Sequence, residues 1–356
     1  MRKLTKRIIG IAILAVLTSL GTVVFASDMK EDFQNPPDTV RPGVYWYFMD
    51  GNMDPELMKV DLDSMYEAGL RKTLFLEVNI RVPRGPVDFM SEPWQDHVAG
   101  AIKHADKLGM EIVMGTGPGW AGSGGPWMKP EQSMQHLCSS SVEINKPGLT
   151  KMKLPVPEPI RGGPMSKLTD LWHDDVAVLA FPTPAPNAPL DLLDVKALRN
   201  TSPYSSWKGV PRFVVSEAEY PEPAAESVIR TDSIIDLTNK MQPDGSLEWD
   251  VPPGNWTVMR FASRSTGRCS SPAPRPGLGL ESNAFDHKAF EFHFENYHQK
   301  LMDKIGKRRP NRGLTALHLD SWEQSCQNWT QKFREAFIKQ CGYDPQPFYP
   351  AYQGLM

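Results

Sequence analysis

Thr73-Leu74-Phe75-Leu76-Glu77-Val78 is a run of strand formers with no turn residue inside it, and what flanks it decides the fold. Upstream, Val44-Tyr45-Trp46-Tyr47-Phe48 is a second such run, ending at the turn Asp50-Gly51-Asn52. Between the two, Asp54-Pro55-Glu56 supplies a helix N-cap, a proline for the first turn and an early acid, and the helix they open stops at Gly69. Downstream, Val98, Ile102, Ala105 and Leu108 recur at helical spacing until Gly109, and a third strand follows from Met110 to Met114. Strands that begin at 44, 73 and 110 with a helix in each gap follow the rhythm of a parallel sheet.

From about Cys138 the rhythm stops. Short β runs such as Val176–Phe181 and Trp256–Phe261 follow with no helix between them, and Ser246–Val251 alternates apolar and polar residues before the turn Pro252-Pro253-Gly254-Asn255. The helical period resumes in Phe290, Phe294, Tyr297, Leu301 and Ile305; a fourth strand is expected over Leu314–Leu319 and a fourth helix over Thr330–Cys341. The expected fold class is therefore α/β, the first four units of a (β/α)8 barrel. Residues 27–137 carry three units, 138–283 a β-rich inserted module, and 284–356 the helix, strand and helix of the fourth. A fifth strand is due about where the sequence ends at Met356, so a fragment of a longer protein is expected.

The first seven residues hold four cations, and an apolar stretch runs from Ile8 to Phe25 before Ala26. This is a signal-peptide layout with cleavage expected after Ala26, although a run of about 18 apolar residues is also near the length of a membrane anchor. The product would be exported, periplasmic or secreted, with no membrane contact after cleavage. Loss of residues 1–26 takes the formal charge from −3 to about −7. Such a chain has no basic stripe for a phosphate backbone, which argues against nucleic acid as partner. Cys138, Cys269, Cys326 and Cys341 lie far apart without zinc-ligand spacing, and are readable as a disulfide or as free thiols. The 33 prolines point to long ordered loops, and the 10 tryptophans offer rings that can stack on sugars.

Barrel chemistry sits at the carboxyl ends of the strands. The residues there are Asp50 and Asn52, then Glu77 and Asn79, then a glycine-rich segment with Trp120 and Trp127, then Asp320, Ser321, Trp322 and Glu323. Glu323 is the first candidate for a general acid, because a carboxyl group beside a large aromatic ring is readily desolvated. Asp320 and Glu77 are candidates to orient a sugar hydroxyl or a water, or else pair with an arginine. Gly117, Gly119 and Gly122 form a literal GxGxxG, but Pro118 and Trp120 would crowd a pyrophosphate, so the loop is read as presenting Trp120 and Trp127 to a cleft, with core packing as the competing reading. His97, His104, His136 and His318 lack ligand spacing. Glu77, Asn79 and Asp88 offer hard oxygens to calcium, without an EF-hand pattern.

These blocks, in order, resemble glycoside hydrolase family 106, the α-L-rhamnosidases. The resemblance rests on Trp46–Asn52 with Asp61-Leu62-Asp63-Ser64-Met65, on Pro83–Val87, and on Gly117–Trp120 with Ser123–Trp127. It continues in Arg260-Phe261 with Thr266-Gly267, in Gly279-Leu280-Glu281, and in Asp320-Ser321-Trp322-Glu323 with Gln327-Asn328-Trp329-Thr330. It implies a barrel enzyme, calcium-dependent, that removes terminal α-L-rhamnose from oligo- or polysaccharides with inversion. It also implies that Glu323 is one of two catalytic carboxylates, with the other on a later strand absent from this sequence. Two alternatives stay open: a non-catalytic carbohydrate-binding remnant, and another barrel glycosidase with a retaining mechanism.

Overall fold

The structure, a computed structural model, describes residues 29–120, 122–159, 172–185, 224–324 and 326–355. The expected leader, residues 1–26, lies outside them. A short helix α1 (Met29–Gln34) leads into β1 (Gly43–Met49), α2 (Pro55–Glu67), β2 (Lys72–Val78), α3 (Glu92–Leu108) and β3 (Glu111–Gly115). Each of these strands lies within one residue of its expected place. Strands β4 (Gly124–Gly125), β5 (Gln135–Ile144), β6 (Gly148–Lys153), β7 (Asp174–Pro182), β8 (Ile235–Asp236), β9 (Ser246–Val251), β10 (Trp256–Ser265) and β11 (Leu280–Glu281) follow. Then come α4 (His287–Phe294), a π-helical turn Glu295–Gln299, α5 (Lys300–Ile305), β12 (Gly313–His318), α6 (Phe333–Cys341) and a final 3-10 helix Gln346–Gln353.

The helix ends are set locally. Asp54 accepts hydrogen bonds from the Glu56 and Leu57 N–H groups and caps α2. Ser91 caps α3, and Gly109 closes it at φ 80°, in the left-handed region that glycine enters without a Cβ penalty. Helix α6 begins at Phe333, three residues later than expected. The backbone of Trp329 pairs with Gln135 and the Thr330 hydroxyl accepts from Asn283, so those two residues are held by the neighbouring segment before a helix can start.

Strands β1, β2, β3 and β12 form one parallel sheet in that order. Successive side chains on a strand point to opposite faces, and the two faces here differ sharply. Trp46, Phe48, Phe75, Ile112, Met114 and Leu314 point to one side and pack with Met58 and Leu62 of α2 and Val98, Ile102 and Ala105 of α3 in a single core. Tyr45, Tyr47, Lys72, Leu74 and Val113 have the other parity. On that face Tyr45 and Tyr47 are exposed.

The sheet is curled. Two strands lie between β1 and β12, which would set these edges about 14 Å apart in a flat sheet. Yet the Tyr45 hydroxyl on β1 donates to Asp320 Oδ2, just past β12, at 3.2 Å. The uncovered face is therefore a trough. The expectation of a partial barrel meets a mixed α/β fold with a curled open sheet: the described strands make no closed barrel.

The β-rich unit has an antiparallel sheet in the order β5-β10-β7-β8, and β6 pairs with β9. Strand β9 alternates in burial as expected, whereas every residue of β10 is buried. Val178, Ala180 and Val258 pack against Leu247, Trp249 and Val251 of β9 in one cluster, while Leu179, Phe181 and Phe261 pack against Trp329 and Tyr349 in another. Arg260 lies within this unit, its guanidinium donating to both Asp175 oxygens at 2.7 and 2.8 Å and to the Leu154 carbonyl at 3.0 Å. This gives the Arg260-Phe261 block a structural role, because losing one partner would strand a buried charge. All four cysteines are free thiols.

Leu62 is fully buried where α2 meets the sheet. Leu62→Ala is expected to lower unfolding free energy by about 2–5 kcal/mol in chemical denaturation. A loss under about 1 kcal/mol would mean that α2 is not seated on the sheet as described.

Candidate active site

The trough opens at the carboxyl ends of the strands. Its floor holds an open cavity of about 350 Å³ lined by Gly43, Val44, Tyr45, Lys72, Leu74, Val113 and His318, which reaches back to the amino ends of β1 and β2 and does not include Asp320, Glu323 or Trp120. Tyr45 and Tyr47, two apart on β1, stack with ring centroids 5.3 Å apart, and Tyr47 meets Trp120 edge-on at 6.5 Å. The Trp120 indole N–H points to Glu323 Oε2 at 3.4 Å. Asp320 accepts from Tyr45 and lies 3.3 Å from His318 Nε2. The carboxylate of Asp320 raises the pKa of the Tyr45 hydroxyl above the usual phenol range, and partial burial, with Asp320 second, raises Tyr47. Glu323 and Trp322 are exposed to solvent at this mouth.

Of the nine residues singled out in the sequence, Asp320, Trp322, Glu323 and Trp120 gather at the mouth, while the other five make buried or loop-local contacts. Glu77 is in register with Phe48 and shares the parity of Phe75, so it points into the helix layer. There its oxygens accept from the Gly51 N–H at 3.0 Å and the Trp94 indole N–H at 2.5 Å. Asp50 is a buried turn residue at φ 46° with Oδ1 unpartnered. Asn52 ties its loop together by donating to the Met49 and Pro83 carbonyls. Asn79 accepts from the Arg81 N–H. Trp127, half-buried, packs on Phe89 and Tyr297 and donates to His293 Nδ1, the arrangement of the competing reading of core packing. The carboxyl group that burial protects is thus Glu77. It is raised to about 7 by desolvation, against the two N–H bonds and with Asp50 and Asp88 adding to the rise.

Two histidines not singled out in the sequence support the mouth from behind. His293 Nε2 bonds the Thr116 carbonyl at 2.6 Å and His298 Nε2 the Gly115 carbonyl at 3.2 Å, gripping the end of β3 where the glycine-rich loop departs. Burial lowers both pKa values to about 4. The π-helical turn shifts the helix register here, and Tyr297 and His298 within it are both buried. The alternation of Tyr45 and Tyr47 on a strand was the one sequence signal for the aromatic wall; nothing local marked the histidines.

Among the described residues no group of three or more His, Cys, Asp or Glu converges on a possible metal position. Both Glu77 oxygens already face N–H donors.

A helix-backed parallel sheet whose open face ends in Asp320, Glu323 and a wall of tyrosine and tryptophan has the outline of a glycan-cleaving site, that of a glycoside hydrolase. The chain belongs to glycoside hydrolase family 106, described as alpha-L-rhamnosidase, which matches residues 34–356. It is 29% identical over 355 residues to a protein of Formosa agariphila named "Putative beta-glucuronidase", covering 99% of this chain and 29% of that one. Its fold is similar to the solved structure of a rhamnosidase from Novosphingobium sp. PP1Y, with a TM-score of 0.74 and 24% identity, covering 93% of this chain and 43% of that one. The chain spans less than half the length of either relative. No helix of the described residues is long and apolar enough to cross a membrane.

The buried groups predict a pH profile. Unfolded histidines take up protons below about pH 6.5, while His293 and His298 resist until about 4. The stability they contribute is complete above 6.5 and lost as pH falls toward 4, on the order of 3 kcal/mol for each. Glu77, raised to about 7, works oppositely: its contribution is complete below 4.5 and lost as pH rises through 7. Glu281, a buried carboxyl group likewise raised, acts in the same direction as Glu77, so two histidines and two carboxyl groups oppose each other in this range. His298→Gln keeps an N–H for the Gly115 carbonyl and removes one of the two groups that lose stability toward low pH, so its denaturation midpoint is expected to rise relative to the parent's between pH 6.5 and 4; an unchanged difference would exclude His298 as a contributor.

Proposed function

We propose that the whole protein removes terminal α-L-rhamnose from a glycan, with Glu323 as the acid that protonates the leaving oxygen. The observation that carries this reading is the mouth itself, where Glu323 and Asp320 stand among Trp120, Tyr45 and Tyr47. Aromatic faces hold sugar rings by apolar contact and C–H contacts, and a carboxylate beside them is placed to reach the glycosidic oxygen. A sugar laid against Trp120 would exclude water from Glu323, the condition in which proton transfer to a leaving group is most effective. Asp320, which accepts from Tyr45 and lies 3.3 Å from His318 Nε2, is set to orient a sugar hydroxyl.

The curled four-stranded sheet is, in this proposal, one half of a (β/α)8 barrel whose other strands and second carboxylate come from sequence beyond Met356. Inversion requires that second group roughly 6.5–9.5 Å from the first, with water between. Calcium dependence and export are parts of the same proposal. They rest on the family resemblance and on the leader pattern of residues 1–26. A mature N terminus at Ser27, read by mass spectrometry, is the expected mark of export.

Glu323→Gln in the whole protein is expected to lower turnover of an unactivated α-L-rhamnoside at least about 100-fold. Near-normal turnover would remove Glu323 from this role. Trp120→Ala is expected mainly to raise KM. The name of the Formosa agariphila relative favours a second substrate, so an aryl β-glucuronide belongs in the same assay, and turnover of it alone would displace rhamnose. Proton NMR of the first-formed sugar distinguishes inversion from retention. A whole protein that binds the sugar without turning it over would be the non-catalytic reading.

A further inference from the structure

Glu281 is a fully buried carboxyl group that the mouth does not use. It sits on β11, paired with β4, so that Glu281 faces Gly124 and Leu280 faces Gly125. One oxygen accepts from the Ser123 backbone N–H, and the other, Oε2, has no partner. Among the described residues no cation is paired with it, and burial drives its proton affinity well up. Gly122, at φ 84°, lies flat against the carboxyl group: a Cβ there would come within 2.4 Å of Oε2. Ser123 and Ser282 add a hydroxyl contact at 2.5 Å and a bond from the Ser282 N–H to the Ser123 carbonyl at 2.7 Å.

These contacts fasten one end of the loop that carries Trp120. The other ties are the Gly119 N–H to the Glu77 carbonyl at 2.9 Å and the Thr116 hydroxyl to the Gly122 carbonyl at 2.9 Å. Trp120 stands between Gly119 and Gly122, so its ring can hold Glu323 only while both flanks are fixed. We propose that Glu281 is a positioning residue, which clamps the glycine-rich loop through Ser123 and Gly122 and so keeps Trp120 against Glu323. The inference rests on the proposed role of the mouth. Glu281 acts through the loop and touches no sugar.

The test uses the whole protein with an aryl α-L-rhamnoside, comparing Glu281→Gln, Glu281→Ala, Trp120→Ala, Glu323→Gln and the double variant Glu281→Ala/Trp120→Ala. Glutamine keeps the shape and a carbonyl for the Ser123 N–H, so Glu281→Gln is expected within about threefold of the parent in kcat/KM. Glu281→Ala is expected to lose about tenfold or more. If both act through one ring, Trp120→Ala should cost almost nothing further in the Glu281→Ala background, a non-additivity that general loosening of the fold would not produce. Parental activity in Glu281→Ala, a Glu281→Gln as poor as alanine, or losses that simply multiply would each overturn the proposal. Should Glu281→Ala melt at the assay temperature, Gly122→Ala, whose Cβ meets the carboxyl group, takes its place in the same cycle and under the same criteria. Glu323→Gln separates the two ideas: if it stays active the reading of the mouth fails, and if it is inactive while Glu281→Ala is normal only the clamp fails.

Discussion

The helix layer claims one face of the parallel sheet, and strand geometry hands the other face to the trough. Burying Trp46, Phe48 and Phe75 under α2 and α3 fixes the rotation of β1 and β2, and with it the outward aim of Tyr45 and Tyr47. A one-residue slip of β1 would exchange the two sets and place the tyrosines in the core. The exposed aromatic wall is thus a consequence of apolar burial on the opposite side. The curl of the sheet then brings Asp320 back to Tyr45.

Behind the sheet, polar groups do a second job. Glu77 is out of water, yet its oxygens meet the N–H groups of Gly51 and Trp94, joining the turn after β1 to α3. His293 and His298 bond the carbonyls at the end of β3, where the chain leaves regular pairing. Backbone groups there would otherwise be buried without partners, a cost of one to several kcal/mol each. Carboxylates and imidazoles near the mouth can therefore be supports whose chemistry is hydrogen bonding, and the parity of their strand position separates them from residues that face the trough.

Several elements were legible in the chain. The capping sequence Asp54-Pro55-Glu56, the glycine stop at Gly109 and the unbroken apolar runs located the strands to within a residue, because each signal is local. The Asp320-Ser321-Trp322-Glu323 block was legible as a strand-end cluster for the same reason. For Glu77 and Trp127 the sequence leaves more than one place open, and the structure puts Glu77 in the helix layer and packs Trp127 on Phe89 and Tyr297. Position just after a strand tells how far along the sheet a side chain lies but not which face it takes, and a tryptophan in a glycine-rich loop gives no sign of what packs on it.

By itself, the sequence determined the βαβ rhythm, the β-rich unit between β3 and β12, and the ordered blocks that mark the family, since periodicity and local turn chemistry suffice for these. Only the tertiary structure decided which polar residues share the trough. The contact between Trp120 and Glu323 joins residues 203 apart, and that between Tyr45 and Asp320 residues 275 apart. Such pairs depend on how the sheet curls and on which face the helices cover. Those are properties of packing that no short stretch of sequence carries.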